Sequence, residues 1–163
     1  MSFLNRRAFC KLLALSLGAG CGFAPVYGPD GSGGAIRGHV RIAAPNTRLG
    51  FELVARLENR LGRAVTPTHT LTHNIRTEER SLAIINTDDI TRINISGTVQ
   101  FTVIDTQTQA QVQAGTVSTF TAYATTGSPV ATAAARRDAE DRLMIALADQ
   151  IVTRLYAGAQ GWA

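Results

Sequence analysis

The sequence predicts an α/β (α+β) fold: a two-layer sandwich of two helices packed on a four-stranded, mostly antiparallel sheet, in the order β-α-β-β-β-α. Three observations predict it. Two segments place apolar residues every three or four positions, as a helix with one buried face requires. Four others alternate apolar and polar residues, the period of a strand with one face covered. The last three of those strands follow one another through polar turns, which makes a meander whose apolar face must meet the two helices.

The elements follow in chain order. Val40 and Ile42 alternate with His39 and Arg41 in a short first strand that ends before Pro45. Asn46 is a helix cap by residue type, because its side chain can accept from a backbone N–H left without a partner. Leu49, Leu53, Val54, Leu57 and Leu61 then gather on one face, and Gly62 is a natural stop. Between Thr66 and Asn86, Leu71, His73 and Ile75 alternate, Glu78-Glu79-Arg80 interrupts, and Leu82 and Ile84 resume out of phase. One long strand bulged or bent at the charged triplet fits, and a hairpin is the alternative. Asn86-Thr87-Asp88-Asp89 supplies a turn.

Ile93, Ile95, Val99, Phe101 and Val103 form the clearest strand, against Asn94, Ser96, Thr98, Gln100 and Thr102. After a polar turn at 105–109 comes Ala110–Ala124, where the alternation of Val112 and Ala114 slips before Phe120 and Ala122, as a bulge near Gly115 would cause. Ser128-Pro129 opens the last helix, since proline at its first position lacks an N–H that had no partner anyway. Ala135, Ala139, Leu143, Leu147, Ile151 and Leu155 carry its apolar series, which Met144, Ala148 and Val152 widen, and Gly158 ends it.

The N-terminus reads as an export signal. Arg6, Arg7 and Lys11 precede a short apolar run at 12–20, well under the ~20 apolar residues that a membrane-spanning helix needs. Gly18-Ala19-Gly20 then leads into Cys21, an arrangement that resembles a bacterial lipobox cleaved between Gly20 and Cys21. The competing reading is an ordinary signal peptide that happens to hold a cysteine. In the lipobox reading Cys21 carries diacylglycerol and an N-acyl chain, and each buried methylene contributes about 0.8 kcal/mol to membrane anchoring. Gly22, where an Asp would signal inner-membrane retention by resemblance to enterobacterial lipoproteins, points to the outer membrane. Asn5-Arg6-Arg7-Ala8-Phe9-Cys10-Lys11 also resembles a twin-arginine motif, so the twin-arginine and general secretory routes both stay open. The domain plan is thus a signal at 1–20, a lipidated N-terminus and Gly-rich tether at 21–34, an α/β domain at 35–158 and a C-terminal tail at 159–163.

Composition then narrows the chemistry. Without Arg6, Arg7 and Lys11, the 16 basic residues fall to 13 against 12 acidic ones, near neutrality, and every remaining basic residue is Arg. A nucleic-acid binder would need a concentrated basic face, so no nucleic-acid partner is expected. Cys10 leaves with the signal and Cys21 is the acylation candidate, so no thiol remains for a disulfide. His69 and His73 would share a metal on a helix, but on the strand predicted here they stand ~13 Å apart. No metal site is expected, nor any cofactor beyond the acyl chains. No Gly-x-Ser-x-Gly elbow and no mature nucleophilic Cys occur, so no catalytic residue is assigned. Asp88-Asp89 reads as a solvated turn. Arg136, Arg137 and Arg142 share the last helix with Asp138, Glu140 and Asp141 and read as a self-compensated face. Arg76, Arg80 and Arg92 flank the turns between strands, and if they converge at one end of the sheet they can grip the phosphates of an anionic glycolipid.

The segment Cys21-Gly22-Phe23-Ala24-Pro25-Val26-Tyr27-Gly28 is followed by a strand, an amphipathic helix, Thr-rich strands and Ala135-Arg136-Arg137-Asp138-Ala139-Glu140-Asp141-Arg142 in a closing helix. This arrangement resembles the LPS-assembly lipoprotein family, LptE, in its alphaproteobacterial form. The resemblance implies two helices on a four-stranded sheet and a non-enzymatic role in the outer membrane, lipid-anchored through Cys21. It implies two partners, the LptD β-barrel, which such proteins plug and help assemble, and lipopolysaccharide in transit to the outer leaflet. Arg76, Arg80 and Arg92 are candidates for the lipopolysaccharide contact by position. The alternative function is an outer-membrane lipoprotein that serves as a binding or scaffold subunit of another transport system.

Overall fold

A computed structural model describes residue 34 and residues 36–82, 92–125 and 128–162. The signal, the Gly20–Cys21 junction, most of the tether and the Asn86–Asp89 turn lie outside these described residues. The elements are β1 (Val40–Ile42), α1 (Arg48–Leu61), β2 (His69–Leu82), β3 (Arg92–Asp105), β4 (Gln111–Ala124) and α2 (Pro129–Gly158), with a 3-10 turn at Ala159–Gly161. The sheet runs β1-β2-β3-β4. β1 is parallel to β2 and the other pairs are antiparallel. The predicted α+β sandwich is therefore the observed architecture, with α1 serving as the crossover that a parallel β1/β2 pair needs.

Both helices form where the apolar spacing placed them. Thr47 caps α1, accepting from the Gly50 N–H at 3.0 Å, so the cap is one residue later than Asn46. A cap must sit three residues before a free helical N–H, and the helix starts at Arg48. Gly62 closes α1 at φ 77°, a left-handed value glycine adopts without strain, and its N–H donates to Glu58 O at 2.8 Å. Ser128 caps α2 by accepting from the Ala131 N–H at 3.2 Å.

β2 is one strand rather than a hairpin, and it carries no bulge. Its register against β3 is unbroken from His69 opposite Asp105 to Leu82 opposite Arg92. The apparent phase shift has another cause: Arg76 to Ser81 are all exposed, so no core enforces alternation there. The bulge in β4 is real but sits elsewhere. Val103 faces Gln113 and Ile104 faces Gln111, which leaves Val112 as the extra residue and not Gly115. Beyond Val112 the odd positions turn to the helices, so Val117 and Tyr123 are buried while Phe120 is 67% exposed.

The core lies between the sheet and the helices. Leu53, Leu57 and Leu61 of α1 and Leu143, Leu147, Ile151 and Leu155 of α2 are fully buried with Ile95, Val99 and Val103 of β3. α2 lies so close on β3 that a Cβ at Gly97 would come within 2.9 Å of Leu147 Cδ1 and 3.0 Å of Leu143 Cδ2. Glycine is needed there for space. Across the seam between the helices, Arg48 bonds Glu140 and Asp141, and Arg56 grips Asp149 through Nε at 3.1 Å and a terminal nitrogen at 2.9 Å. These pairs are partly exposed and set orientation more than stability.

The chain stays packed past α2. Ala159 is buried, and the Trp162 ring lies 4.6 Å from that of His69, tilted by 58°. Trp162 Nε1 donates to Gln113 Oε1 at 3.0 Å, and Gln113 Nε2 donates to the Arg154 carbonyl at 2.8 Å.

Candidate functional site

Among the described residues, the helices cover one face of the sheet and nothing covers the other. Because strand side chains alternate, the buried odd residues of β3 dictate that its even residues face outward, and the register carries that parity to β2 and β4. Along β4 and from Asn94 to Ile104 of β3 this open face is uncharged and rich in hydrogen-bonding groups, including Thr98, Gln100, Thr102 and Thr116, while β2 places Thr72 on the same face as Arg76 and Glu78. A shallow groove crosses β2 and β3 between Asn74, Arg76, Glu78, Ser96, Thr98 and Gln100. Such a surface can form many hydrogen bonds to a polar wall without desolvating an isolated charge.

Arg76, Arg80 and Arg92 all lie on this face, from its middle towards the end where the second half of β2 meets the first half of β3. Arg76 faces Thr98, Arg80 faces Asn94 and Arg92 faces Leu82. They share a face, but they are spread along ~20 Å of strand and do not converge on one point. Arg80 lies 3.5 Å from Glu78. Among the described residues, Arg76 and Arg92 form no ion pair. On α2 the self-compensation expected from sequence holds in part: Arg136 meets Glu140 at 3.2 Å and Arg142 meets Asp138 at 3.1 Å, but Arg136 also reaches Glu79 of β2 at 2.8 Å and Asp141 pairs with Arg48 of α1.

Two of the histidines, His69 and His73, lie in the packed part of the fold. His69 is 8% exposed, with its Nδ1 2.9 Å from Thr68 Oγ1 and its Nε2 3.9 Å from Asp105 Oδ2. The backbone N–H groups of Thr108 and Gln107 hold the Asp105 carboxyl below the usual carboxylate range. His73 points inward, and burial pushes its pKa below the ordinary histidine value. Its Nδ1 is buried with no hydrogen-bond partner among the described residues. No group of three or more His, Cys, Asp or Glu with metal-holding geometry occurs among the described residues.

His73 makes a pH prediction. Folding favours its neutral form, so nothing is lost above the unfolded pKa of about 6.5. Below it the unfolded chain takes up the proton first, and stability falls until the folded pKa is passed. The thermal midpoint should decline from pH 7 to pH 5, and His73→Leu should flatten that decline. An equally steep decline in the variant would refute the assignment.

Sequence reasoning missed Phe120 as an exposed residue of the open face. The available signal was that Val117 and Tyr123 share odd parity, which puts an even-numbered aromatic on the opposite side.

The comparisons agree with this architecture. A candidate lipoprotein from Caulobacter crescentus CB15 superposes with TM-score 0.68 at 19% identity, covering 81% of this chain and 97% of its own. The rare lipoprotein B from Shewanella oneidensis gives 0.56 at 14% identity, covering 73% and 92%. A minor lipoprotein from Acinetobacter baumannii gives 0.53 at 15% identity, covering 73% and 89%. At these identities the likeness establishes the fold. No curated protein sequence matches significantly. The family model for lipopolysaccharide assembly, LptE, matches residues 38–155, from the turn before β1 to the last turn of α2. That match spans most of the chain, and the protein therefore belongs to the LptE family of lipopolysaccharide assembly.

Proposed function

We propose that this protein is a non-enzymatic outer-membrane lipoprotein that occupies the lumen of the LptD β-barrel and assists lipopolysaccharide transport to the outer leaflet. The observation that carries this reading is the open face of the sheet. Along β4 and from Asn94 to Ile104 of β3 it is uncharged and dense in hydroxyl and amide groups, which suits the polar interior of a membrane barrel. A charged plug would lose hydration in that lumen, and an apolar one would leave the lining unsatisfied. Arg76 and Arg92, with Arg80 beside them, supply the anion contacts towards one end, where lipopolysaccharide phosphates meet guanidinium groups. Cys21, acylated after cleavage at Gly20, holds the domain at the outer membrane from the periplasmic side.

The test is depletion of the protein in its native cell, followed by surface labelling of lipopolysaccharide. Surface labelling should fall severalfold while lipopolysaccharide accumulates inside the cell. Normal surface levels after depletion would overturn the reading.

A further inference from the structure

Among the described residues the sheet has two free edges, and they differ in a way that bears on how a partner docks. The direction of each backbone group follows from the bonds at β1. Ala43 N donates to Leu71 O at 2.8 Å and His69 N to His39 O at 3.2 Å, so the odd residues of β2 turn their backbone towards β1. Backbone direction alternates along a strand, so the even residues of β2 bond to β3. The registers then give the odd residues of β3 to β4 and the odd residues of β4 to β3. What remains on β4 is its even set. Ala114, Thr116, Ser118, Phe120, Ala122 and Ala124 direct their N–H and C=O groups outward, and no backbone hydrogen bond among the described residues meets them.

β1 pairs only with His69, Thr70 and Leu71, so the far half of β2 is also an open edge. That half carries Arg76, Glu78, Glu79 and Arg80, the charged residues that discourage edge-to-edge pairing. β4 has no such guard. Its 14 residues contain no charged side chain and no proline. Past the bulge at Val112 it presents ~36 Å of edge from Ala114 to Ala124, about the length of a strand that crosses a membrane in a barrel. The exposed Phe120 stands beside the outward backbone of the same residue, as an anchor for a side chain on an added strand.

We infer that β4 is a strand-addition site, occupied by an extended, uncharged segment of the barrel partner, paired through main-chain hydrogen bonds along residues 114–124. This inference rests on the barrel-lumen reading and names how the partner is held. The edge offers its donors and acceptors only to an extended chain. Its own residues carry no charge for an acidic or basic one, and Arg154 of α2 comes near only on the helix side, with Nη1 3.7 Å from where a Gly115 Cβ would stand. Its outward residues are also those whose side chains lie on the open face, so a partner covering that face reaches the edge without a break.

The test uses the full chain in its native cell, with photoreactive p-benzoylphenylalanine in place of Phe120 or, separately, of Thr98 in the middle of the open face. Crosslinked peptides are identified by mass spectrometry. The Phe120 probe should capture an uncharged segment of the barrel protein. Ser118→Pro removes an outward N–H and no bond to β3, and should cut the Phe120 crosslink at least tenfold. Ser118→Ala, which keeps the N–H, should leave it within twofold. Ser118→Lys keeps every bond within the sheet but adds an edge charge, and should act as the proline does if the proline variant fails to accumulate. A Phe120 crosslink that survives both Ser118→Pro and Ser118→Lys overturns the inference, as does capture of a helical or charged segment or of a second copy of this chain. A Thr98 crosslink to the barrel without one at Phe120 overturns the strand addition and leaves the barrel reading standing. Silence at both positions overturns the two together.

Discussion

Leu147→Ala should lower the unfolding free energy by about 2–5 kcal/mol, the range for a fully buried leucine whose cavity the surroundings only partly fill. Gly97→Ala should also destabilise, by about 1–3 kcal/mol, because its new methyl has nowhere to go while Leu147 and Leu143 press on the strand. The two effects should not add. A methyl at 97 points at the space that Leu147→Ala vacates, so Gly97→Ala should be nearly neutral or stabilising in that background. Alanine also costs the strand less backbone entropy than glycine. A double-mutant cycle by urea unfolding should therefore return a coupling of about 1–3 kcal/mol. Simple additivity would mean that α2 does not rest on β3 at Gly97.

The second large effect lies at the C-terminus. Trp162→Ala should cost about 2–3 kcal/mol, below the figure of about 3–5 for a fully buried aromatic, because Trp162 is only partly buried. Its ring contact with His69 and its bond to Gln113 hold the end of the chain to the start of β2 and to the bulged end of β4. Trp162→Phe keeps an apolar ring but removes the donor to Gln113, and should cost about 1 kcal/mol. Circular dichroism must follow the unfolding, since Trp162 is the chain's single tryptophan and fluorescence disappears with it. A Trp162→Ala variant within 0.5 kcal/mol of the parent would show that this contact does not hold the C-terminus.

The two predictions test parts of the molecule that differ in how far sequence reached them. Leu147 was readable as core because its neighbours at 143, 151 and 155 repeat the helical period. That Gly97 is the residue beneath it was not, since strand glycines carry no mark of what crosses them. Similarly, Ala110–Ala124 was readable as a strand but its facing was not. A bulge inverts the parity of everything after it, and Val112 looks no more bulge-prone than Gly115. The shifted phase at Glu78-Glu79-Arg80 suggests a bulge, a bend or a hairpin only if alternation has a cause throughout β2. Where both faces meet water, that condition fails.

Element order and fold class were determined by the sequence alone, because helix and strand periods and turn residues act over a few neighbouring positions; that β2 is one strand and not a hairpin was settled only by its pairing with β3. The family likeness was also legible there, in the Cys-Gly-Phe-Ala-Pro-Val-Tyr-Gly run and the order of elements. Only the tertiary structure decided that Arg76, Arg80 and Arg92 share one face without converging, that Phe120 stands in the open and that β4 is the unguarded edge. Each depends on which strands pair and in which register, and that pairing is settled by contacts between residues tens of positions apart.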